Sequence, residues 1–402
     1  MAVAGLHPGG PAGGRAAGLP DSPPPPPQRD FVFRDPEGPE IARAANLREM
    51  EHLLPTVPEA SVDYHARRNH FSTWFMARSE VMLAAKLKPM KVSDFASVGA
   101  LTEHLVRSIR ERRKGIQRGV ITEMAQGRFD PDADFVKIGR GSLGGKARGL
   151  AFASTLLREN PGLHRRFEAV DIRVPKTVAI STEGFDAFTV ENGLKALATR
   201  EVPDAEIAAA FQQARFPDWL ERDLSAFAEH TRCPLAVRSS SLLEDAQFQP
   251  FAGIYRTCML ANAHPDPARR LEALVAAVKL VYASTYFESP KAFARSTYHR
   301  IEEEKMAVAI QHLTGTACNG RFYPALAGVA QSYNFYPIGQ MKPEEGIAHI
   351  ALGLGKTVVE GGTAVRFSPR YPQYLPQLST VEDILRNSQR HFYALTLADG
   401  AD

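Results

Sequence analysis

The stretch of the chain best suited to holding an anion is a glycine-rich segment, residues 139–146 (GRGSLGGK), between a predicted strand and a predicted helix. Glycine lets the backbone approach an anion closely, and the N-terminus of the following helix presents free N–H groups and the positive end of its dipole. The ammonium group of Lys146 adds a mobile charge. We therefore predict that Gly141, Gly144, Gly145 and Lys146 belong to an anion-binding loop.

Two familiar nucleotide-binding patterns compete for this loop, and neither fits it. Three of the glycines match GxGxxG, but the acidic residue that dinucleotide-binding folds place about 20 residues further on is here Glu183, nearly twice as far away. The P-loop pattern GxxxxGK[ST] fails because Arg occupies position 140 and Ala occupies position 147. A plain strand-to-helix turn is the remaining alternative.

A second polar group follows the apolar residues 235–237. A predicted buried strand carries Arg238 to its end, and a run of three serines begins at Ser239 and Ser240. A guanidinium group can hold a phosphate through two parallel hydrogen bonds, and the hydroxyl groups can bond to further phosphate oxygens. The alternative is a serine-rich loop with a surface ion pair.

Acidic and amide side chains near these segments are candidates for further contacts. Glu244 and Asp245 can orient Arg238 or help to hold Mg²⁺, which prefers oxygen ligands. Gln311 ends an apolar predicted strand, so its side chain can face a pocket. We interpret the acidic run 302–304 as a solvated helix end.

From about residue 135, alternating strands and helices are predicted to position these side chains. The apolar spacing predicts strands at 135–138, 178–181, 235–238, 306–311, 328–330 and 347–352, and helices at 142–158, from 182 onward and at 204–230. Such an alternation predicts an α/β fold of mixed strand order with at least two lobes.

The first 130 residues have a different character. Residues 1–35 are rich in Gly, Pro and Ala, so we predict a disordered arm. Residues 36–130 are predicted to be a helical region, whose third helix, at about 93–118, has an apolar face and a basic face. We interpret the basic face as solvated rather than as a nucleic-acid site, because no aromatic residues interleave with its charges.

Composition and charge limit the classes of protein to which this chain can belong. The 402 residues, 44% hydrophobic and 23% charged, suit a globular protein of two or three domains. A net charge of +3 does not by itself imply a nucleic-acid partner, and no apolar run is long enough to span a membrane. The three cysteines are widely separated, so we expect reduced thiols and a cytoplasmic location.

Taken in order, these segments resemble the phosphoenolpyruvate synthase and pyruvate phosphate dikinase family. The resembling segments lie over about residues 135–367 and read GGKARGL, VPKTVAISTEGFDAF, AVRSSSLLEDAQFQPFAG, MAVAIQ, GVAQS and ALGLGKTVVEGG. Rifampin phosphotransferases and glucan dikinases share this nucleotide-binding end. The resemblance implies a two-lobed ATP-grasp fold that binds ATP and Mg²⁺, with a first lobe at 131–318 and a partial second lobe at 319–402.

The resemblance also implies roles for individual residues. It puts Lys146 and Arg238 on the ATP phosphates as the catalytic residues and places Gln311 beside the adenine. The further nucleotide contacts that it implies are Gly141, Gly144, Gly145, Ser239, Ser240 and Gly253.

Some parts of the family pattern are not found. The glutamate of the family's GLGE segment is Lys356 here. We predict that this segment is a strand, a glycine turn and a second short strand. In that position the lysine can either reach a phosphate or lie exposed. A closing segment with a metal-binding glutamate, a carrier-histidine motif and a pyruvate-binding domain are not recognisable. We therefore expect a C-terminally incomplete ATP-grasp unit that works with a downstream carrier-histidine and pyruvate-binding polypeptide. A non-catalytic nucleotide sensor and a dinucleotide-dependent oxidoreductase are the alternatives.

Overall fold

The chain folds as two units, Met1–Arg113 and Lys114–Asp402. The computed structural model describes residues 30–117, 121–124, 127–241, 253–296 and 300–397. No helix in these ranges is both long enough and apolar enough to cross a membrane.

In the described part of the first unit, two strands are followed by five α-helices. They are β1 (Phe31–Arg34), β2 (Glu40–Ala44), α1 (Leu47–Leu53), α2 (Glu59–Arg67), α3 (His70–Ala77), α4 (Val81–Leu87) and α5 (Val98–Gln117), the last of which continues past Arg113.

The second unit alternates strands and helices. Its strands are β3 (Ile121–Met124), β4 (Phe135–Ile138), β5 (Thr177–Ile180), β6 (Leu235–Ser241), β7 (Thr257–Leu260), β8 (Met306–His312), β9 (Thr316–Cys318), β10 (Arg321–Tyr323), β11 (Leu326–Gln331), β12 (Ile347–Leu352), β13 (Val365–Phe367) and β14 (Leu395–Thr396). Its helices are α6 (Gly144–Glu159), α7 (Pro161–Arg166), α8 (Thr182–Glu191), α9 (Asp204–Gln213), α10 (Asp218–His230), α11 (Pro267–Ala283), α12 (Glu288–Ser296), α13 (Lys356–Val359) and α14 (Val381–Asn387).

An aromatic core holds the first unit together. Strands β1 and β2 pair antiparallel, and Phe33 on β1 is fully buried together with Phe75 of α3. The backbone N–H of Arg34 donates to Nε2 of His65 at 3.0 Å, which ties the hairpin to α2. The prediction of a disordered arm is therefore wrong for residues 30–35, because the phenyl rings of β1 fill this core. Residues 1–29 lie outside the described residues.

Part of the basic face of α5 turns inward. The carboxylate of Glu51 accepts from Nε of Arg110 at 2.7 Å and from a terminal nitrogen of Arg113 at 2.6 Å, and both Glu51 and Arg113 are buried. Nε of Arg112 donates to Glu80 at 2.6 Å. The solvated-face interpretation is wrong for Arg113, because a buried guanidinium needs a matched carboxylate; Arg110 remains half exposed.

A six-stranded sheet in the order β3-β4-β5-β8-β6-β7 forms the centre of the second unit. Strands β3, β4 and β5 are parallel neighbours, whereas β8 runs antiparallel to both β5 and β6. The predicted α/β fold of mixed strand order is confirmed. Strand β3 lies within the range predicted as the helical region, so that region ends earlier than residue 130.

The two faces of this sheet are packed differently. On one face, Val237 and Val308 contribute to a large core with the aromatic side chains of α8, α10 and α11. On the other face, the small side chains Ala179 and Ala309 pack with Phe135 against α6. Because alanine fills little space, α6 can lie close to the sheet.

The rest of the second unit contains two small antiparallel sheets, β14-β10-β9 and β11-β12-β13. The predicted strands at 328–330 and 347–352 are observed within β11 and β12. The predicted second short strand after Gly355 is wrong, because residues 356–359 form the short helix α13.

We expect Phe33→Ala to destabilise the first unit by about 3–5 kcal/mol, because it removes a fully buried ring from a packed core. The measurement is chemical denaturation followed by the fluorescence of Trp74. The chain has two tryptophans, so a Trp219→Phe background isolates this signal.

The matched control for this prediction is Met82→Ala in the same unit, whose side chain is 73% exposed. It should change the free energy of unfolding by less than about 0.5 kcal/mol. Equal unfolding midpoints for the two variants would show that the hairpin does not contribute to the folded unit.

Candidate functional site

The glycine-rich segment forms a tight loop between β4 and α6. Gly139, Gly141 and Gly144 have φ values of +76°, +95° and +70°, a conformation that other residues adopt at a cost. Helix α6 begins at Gly144, and the first amide groups of a helix lack partners within it. The loop therefore ends in a helix N-terminus, as the sequence predicted.

Residues at the start of α8 fasten this loop from one side. The hydroxyl of Ser181 donates to the carbonyl of Arg140, and the backbone N–H of Arg140 donates to the carboxylate of Glu183. The N–H of Thr182 donates to the carbonyl of Ser142 at 2.9 Å, and the N–H of Ser142 donates back to the Thr182 hydroxyl at 3.2 Å. Residues 181–183 thus bond to residues 140 and 142 of the loop.

Sequence reasoning did not include Ser181, Thr182 or Glu183 among the site residues. The sequence did contain a signal for these residues, because three polar residues follow a buried strand. Neighbouring parallel strands bring their carboxyl ends to one edge of a sheet, so such residues can lie near the loop. The pairing of β4 with β5 could not be read from the sequence. Thr182 is the first residue of α8, and its hydroxyl accepts from the N–H of Ser142 in the loop.

Strand β6 fastens the loop from the other side. The hydroxyl of Ser240 donates to the carbonyl of Leu143 at 2.7 Å and accepts from the N–H of Ala147 at 3.0 Å. The backbones are so close that a Cβ atom on Gly144 would lie 1.5 Å from the carbonyl oxygen of Ser240. Ser240 was predicted as a nucleotide contact, and its hydroxyl makes both of these bonds within the protein.

The two predicted cationic residues lie on β6 and α6. The predicted strand end at Arg238 is wrong, because β6 continues to Ser241 and Arg238 is its fourth residue, while Lys146 is in the first turn of α6. Nζ of Lys146 donates to the hydroxyl of Ser239 at 3.3 Å, and Ser239 directly follows Arg238 in the strand. A terminal nitrogen of Arg238 donates to the side-chain oxygen of Gln311 at 3.2 Å. The structure therefore connects four of the predicted site residues through two side-chain hydrogen bonds.

Gln311 is buried and hydrogen-bonded on both sides. Its register partner on β6 is Ala236, and Arg238 pairs with Ala309, so Gln311 and Arg238 are diagonal neighbours on one face. The amide nitrogen of Gln311 lies 3.5 Å from the hydroxyl of Thr177 on β5. The side-chain amide of Gln311 thus lies between the two residues: its oxygen accepts from Arg238, and its nitrogen faces Thr177.

The described contacts do not connect the other predicted site residues to Lys146, Ser239, Arg238 or Gln311. Gly253 is exposed, has φ +82° and has open space where a Cβ would lie. Lys356 is exposed, with Nζ 3.8 Å from Glu360 and 4.8 Å from the ring centre of Tyr393. Glu244 and Asp245 lie outside the described residues.

Glu304 is the member of the acidic run that lies near the end of β6. Its carboxylate accepts a hydrogen bond from the hydroxyl of Ser241, and it is partly buried, whereas Glu302 and Glu303 are exposed. The solvated-end interpretation is therefore wrong for Glu304. Within the described ranges, no three His, Cys, Asp or Glu side chains cluster in a way that could hold a metal ion.

The assembled groups are suited to binding an anion with several charges. The N-terminus of α6 and two cationic side chains, Lys146 and Arg238, lie along residues 238–240 of β6, and each contributes positive potential. The loop geometry is fixed by hydrogen bonds from both neighbouring segments, so the donors are arranged before an anion arrives.

The chain matches a known protein family. Residues 140–393, well over half of the chain, match the family described as pyruvate phosphate dikinase, AMP/ATP-binding domain. The match covers residues 140–146 of the glycine-rich loop, β6, β8, the sheet β11-β12-β13 and the strands β9 and β10, and it ends before β14. No curated protein matches the chain.

We expect Gly144→Ala to destabilise the second unit by at least about 3 kcal/mol. The substitution places a methyl group against the Ser240 backbone and forces a non-glycine residue into a positive φ, and both effects cost energy. The measurement is chemical denaturation followed by Trp219 in a Trp74→Phe background. A Cβ at Gly139 would lie 3.0 Å from the Trp219 ring, so this fluorophore is next to the loop.

Gly149→Ala is the matched control on the same helix. Gly149 is exposed and has nothing within 4 Å of its Cβ position, so alanine should stabilise the helix by about 0.5–1 kcal/mol. A Gly144→Ala protein as stable as the Gly149→Ala protein would contradict the close contact between α6 and β6.

Proposed function

The chain belongs to the pyruvate phosphate dikinase AMP/ATP-binding domain family, and from that membership we propose that it binds Mg-ATP at the glycine-rich loop and presents it as a phosphoryl donor. One observation carries the proposal: the N-terminus of α6 packs against β6 at Ser240, and Lys146 donates to Ser239, the residue next to Arg238. A triphosphate is the part of ATP that needs several positive groups at one place.

In the proposed complex, the protein acts by positioning and by neutralising charge. Phosphoryl transfer relies on these two effects more than on covalent chemistry. Lys146 contributes a point charge on a flexible stem, and Arg238 contributes a planar group that can hold two oxygens at once. We assign both residues to the phosphates, and we assign Ser240 to positioning the loop because its hydroxyl bonds to Leu143 and Ala147.

We propose two roles for Gln311. The family resemblance suggests a position beside the adenine, and the hydrogen bond to Arg238 suggests that Gln311 also orients the guanidinium group. A glutamine amide has two N–H donors and an oxygen with two lone pairs, so one side chain can serve both contacts.

We propose that Mg²⁺ arrives with the nucleotide. Mg²⁺ keeps several water ligands and is commonly bound through one or two carboxylates together with substrate phosphates. The partly buried carboxylate of Glu304, hydrogen-bonded to Ser241, offers such an oxygen at the end of β6. Glu244 and Asp245 remain sequence-based candidates.

We expect Lys146→Ala to weaken ATP binding at least tenfold, because a charge-assisted contact contributes about 1.5–3 kcal/mol. Arg238→Ala should have an effect of similar size. The measurement is calorimetry with ATP and Mg²⁺, and with NAD as a comparator that should bind more weakly. NAD binding requires an available acidic residue, and Glu183 is bonded to the loop backbone.

The matched control is Arg158→Ala, in the last turn of the same helix. It lies about 18 Å along α6 from Lys146 and removes the same charge, so ATP affinity should stay within about twofold. Equal affinities for the Lys146 and Arg158 variants would remove Lys146 from the site, and tighter binding of NAD than of ATP would contradict the nucleotide assignment.

We propose that the phosphoryl group passes to a carrier histidine outside the 402 residues, because no histidine here lies in a recognisable carrier motif. The purified chain should therefore form no phosphoenolpyruvate from ATP, Mg²⁺ and pyruvate, and a supplied carrier-histidine and pyruvate-binding polypeptide should restore turnover. Phosphoenolpyruvate and AMP are the measured products. Product formed by the chain alone, in proportion to protein and abolished by Lys146→Ala, would show that this polypeptide contains an acceptor.

A further inference from the structure

A cleft of about 410 Å³ lies at the other end of the central strands from the glycine-rich loop. Its apolar walls include Val136 of β4, Val178 of β5 and the rings of Phe129 and Phe227. Its polar lining includes Lys176, His230, Arg232 and His312. This volume and this mixture of apolar walls with a few polar groups are typical of small-molecule sites.

The charged side chains of the cleft are the cations Lys176 and Arg232. Nζ of Lys176 donates to the carbonyl of Pro131, and the guanidinium of Arg232 donates to the carbonyl of Ala263 at 3.2 Å. In the part of the chain that the structure describes, neither cation forms an ion pair with a carboxylate. Arg232 is exposed, whereas Lys176 is partly buried, and a partly buried cation without a carboxylate partner favours an anionic ligand.

The imidazole of His312 adds a further polar group to the cleft. Within the described residues its imidazole makes no side-chain hydrogen bond, and its ring centre lies 6.5 Å from that of Phe227. Burial, together with the charge of Lys176, lowers the pKa of His312 to about 4. The ring is therefore neutral at pH 7 and has one N–H to donate to a ligand.

The cleft is separate from the candidate nucleotide site. Val136 and Val178 belong to the large core face of the sheet, whereas Ala309 and Ala179 face α6. Strand β4 has four residues, so the cleft and the loop are separated by about 10 Å along the strand as well. A ligand in the cleft therefore cannot accept a phosphoryl group from a nucleotide bound at the loop.

We propose that this cleft is a second ligand site, which binds a small organic anion with an aromatic or branched aliphatic body. The anionic group contacts Lys176 and the His312 N–H, and the apolar body lies against Phe129, Val178 and Phe227. The site does not depend on the nucleotide function, since it shares none of the residues assigned to ATP.

The test uses benzoate as the probe and the full chain as the protein. Calorimetry measures affinity, and the ring resonances of His312, assigned with His312→Gln, report the location by NMR. We expect saturable benzoate binding that shifts the His312 resonances. Acetate, which lacks the apolar body, and benzyl alcohol, which lacks the charge, should each bind at least tenfold more weakly.

Lys176→Met should weaken benzoate binding at least tenfold, because it keeps the apolar stem and removes the charge. Arg173→Met is its matched control, since Arg173 is an exposed cation in the same connection before β5 and its loss should change affinity less than twofold. If Lys176→Met does not fold, calorimetry on His312→Gln replaces it, with the same expected loss.

Three results would overturn the proposal. The first is the absence of saturable benzoate binding with a His312 shift. The second is equal affinity in the Lys176 and Arg173 variants. The third is an affinity for acetate or benzyl alcohol equal to that for benzoate.

Discussion

The arrangement of the candidate site depends on the close contact between the start of helix α6 and strand β6. At Gly144 the helix backbone comes so near to Ser240 that a side chain of any size would overlap its carbonyl oxygen. This contact sets the direction of the helix N-terminus, and it brings Lys146 within hydrogen-bond distance of Ser239. A glycine at one position thus determines where the positive end of the helix lies relative to Arg238.

A second constraint acts on the same loop from the opposite side. Residues 181–183, after β5, bond to loop residues 140 and 142, while Ser240 on β6 bonds to residues 143 and 147. The loop is therefore held between two strand ends. Donors fixed in this way lose little entropy when an anion binds, which is why preorganised sites bind phosphates well.

Side chains on the two faces of the central sheet contribute to two different places, the candidate nucleotide site and the cleft. Thr177 and Gln311 point to the α6 face, where they support Arg238. Their chain neighbours Lys176 and His312 line the cleft on the core side. Because successive side chains of a strand point to opposite faces, two sites can be built from adjacent residues without sharing a single side chain.

Local pattern in the sequence predicted much of the second unit. Alternating apolar segments predicted an α/β fold, and the glycines before Lys146 predicted a loop at a helix N-terminus, because both signals are confined to a few neighbouring residues. The same local reasoning failed for residues 30–35. Composition placed them in an arm, whereas the burial of Phe33 depends on helices that follow much later in the chain.

Tertiary structure alone decided which strands are neighbours. Strand β8 lies between β5 and β6, and this order brings Gln311 to Arg238 and Thr177, although the three residues are far apart in the chain. It also decided that Glu51 pairs with Arg113, and that Glu183 bonds to the loop. By itself the sequence determined the types of residue available and their local conformation. Their partners were set by long-range packing, because backbone pairing and burial join segments that no local pattern relates.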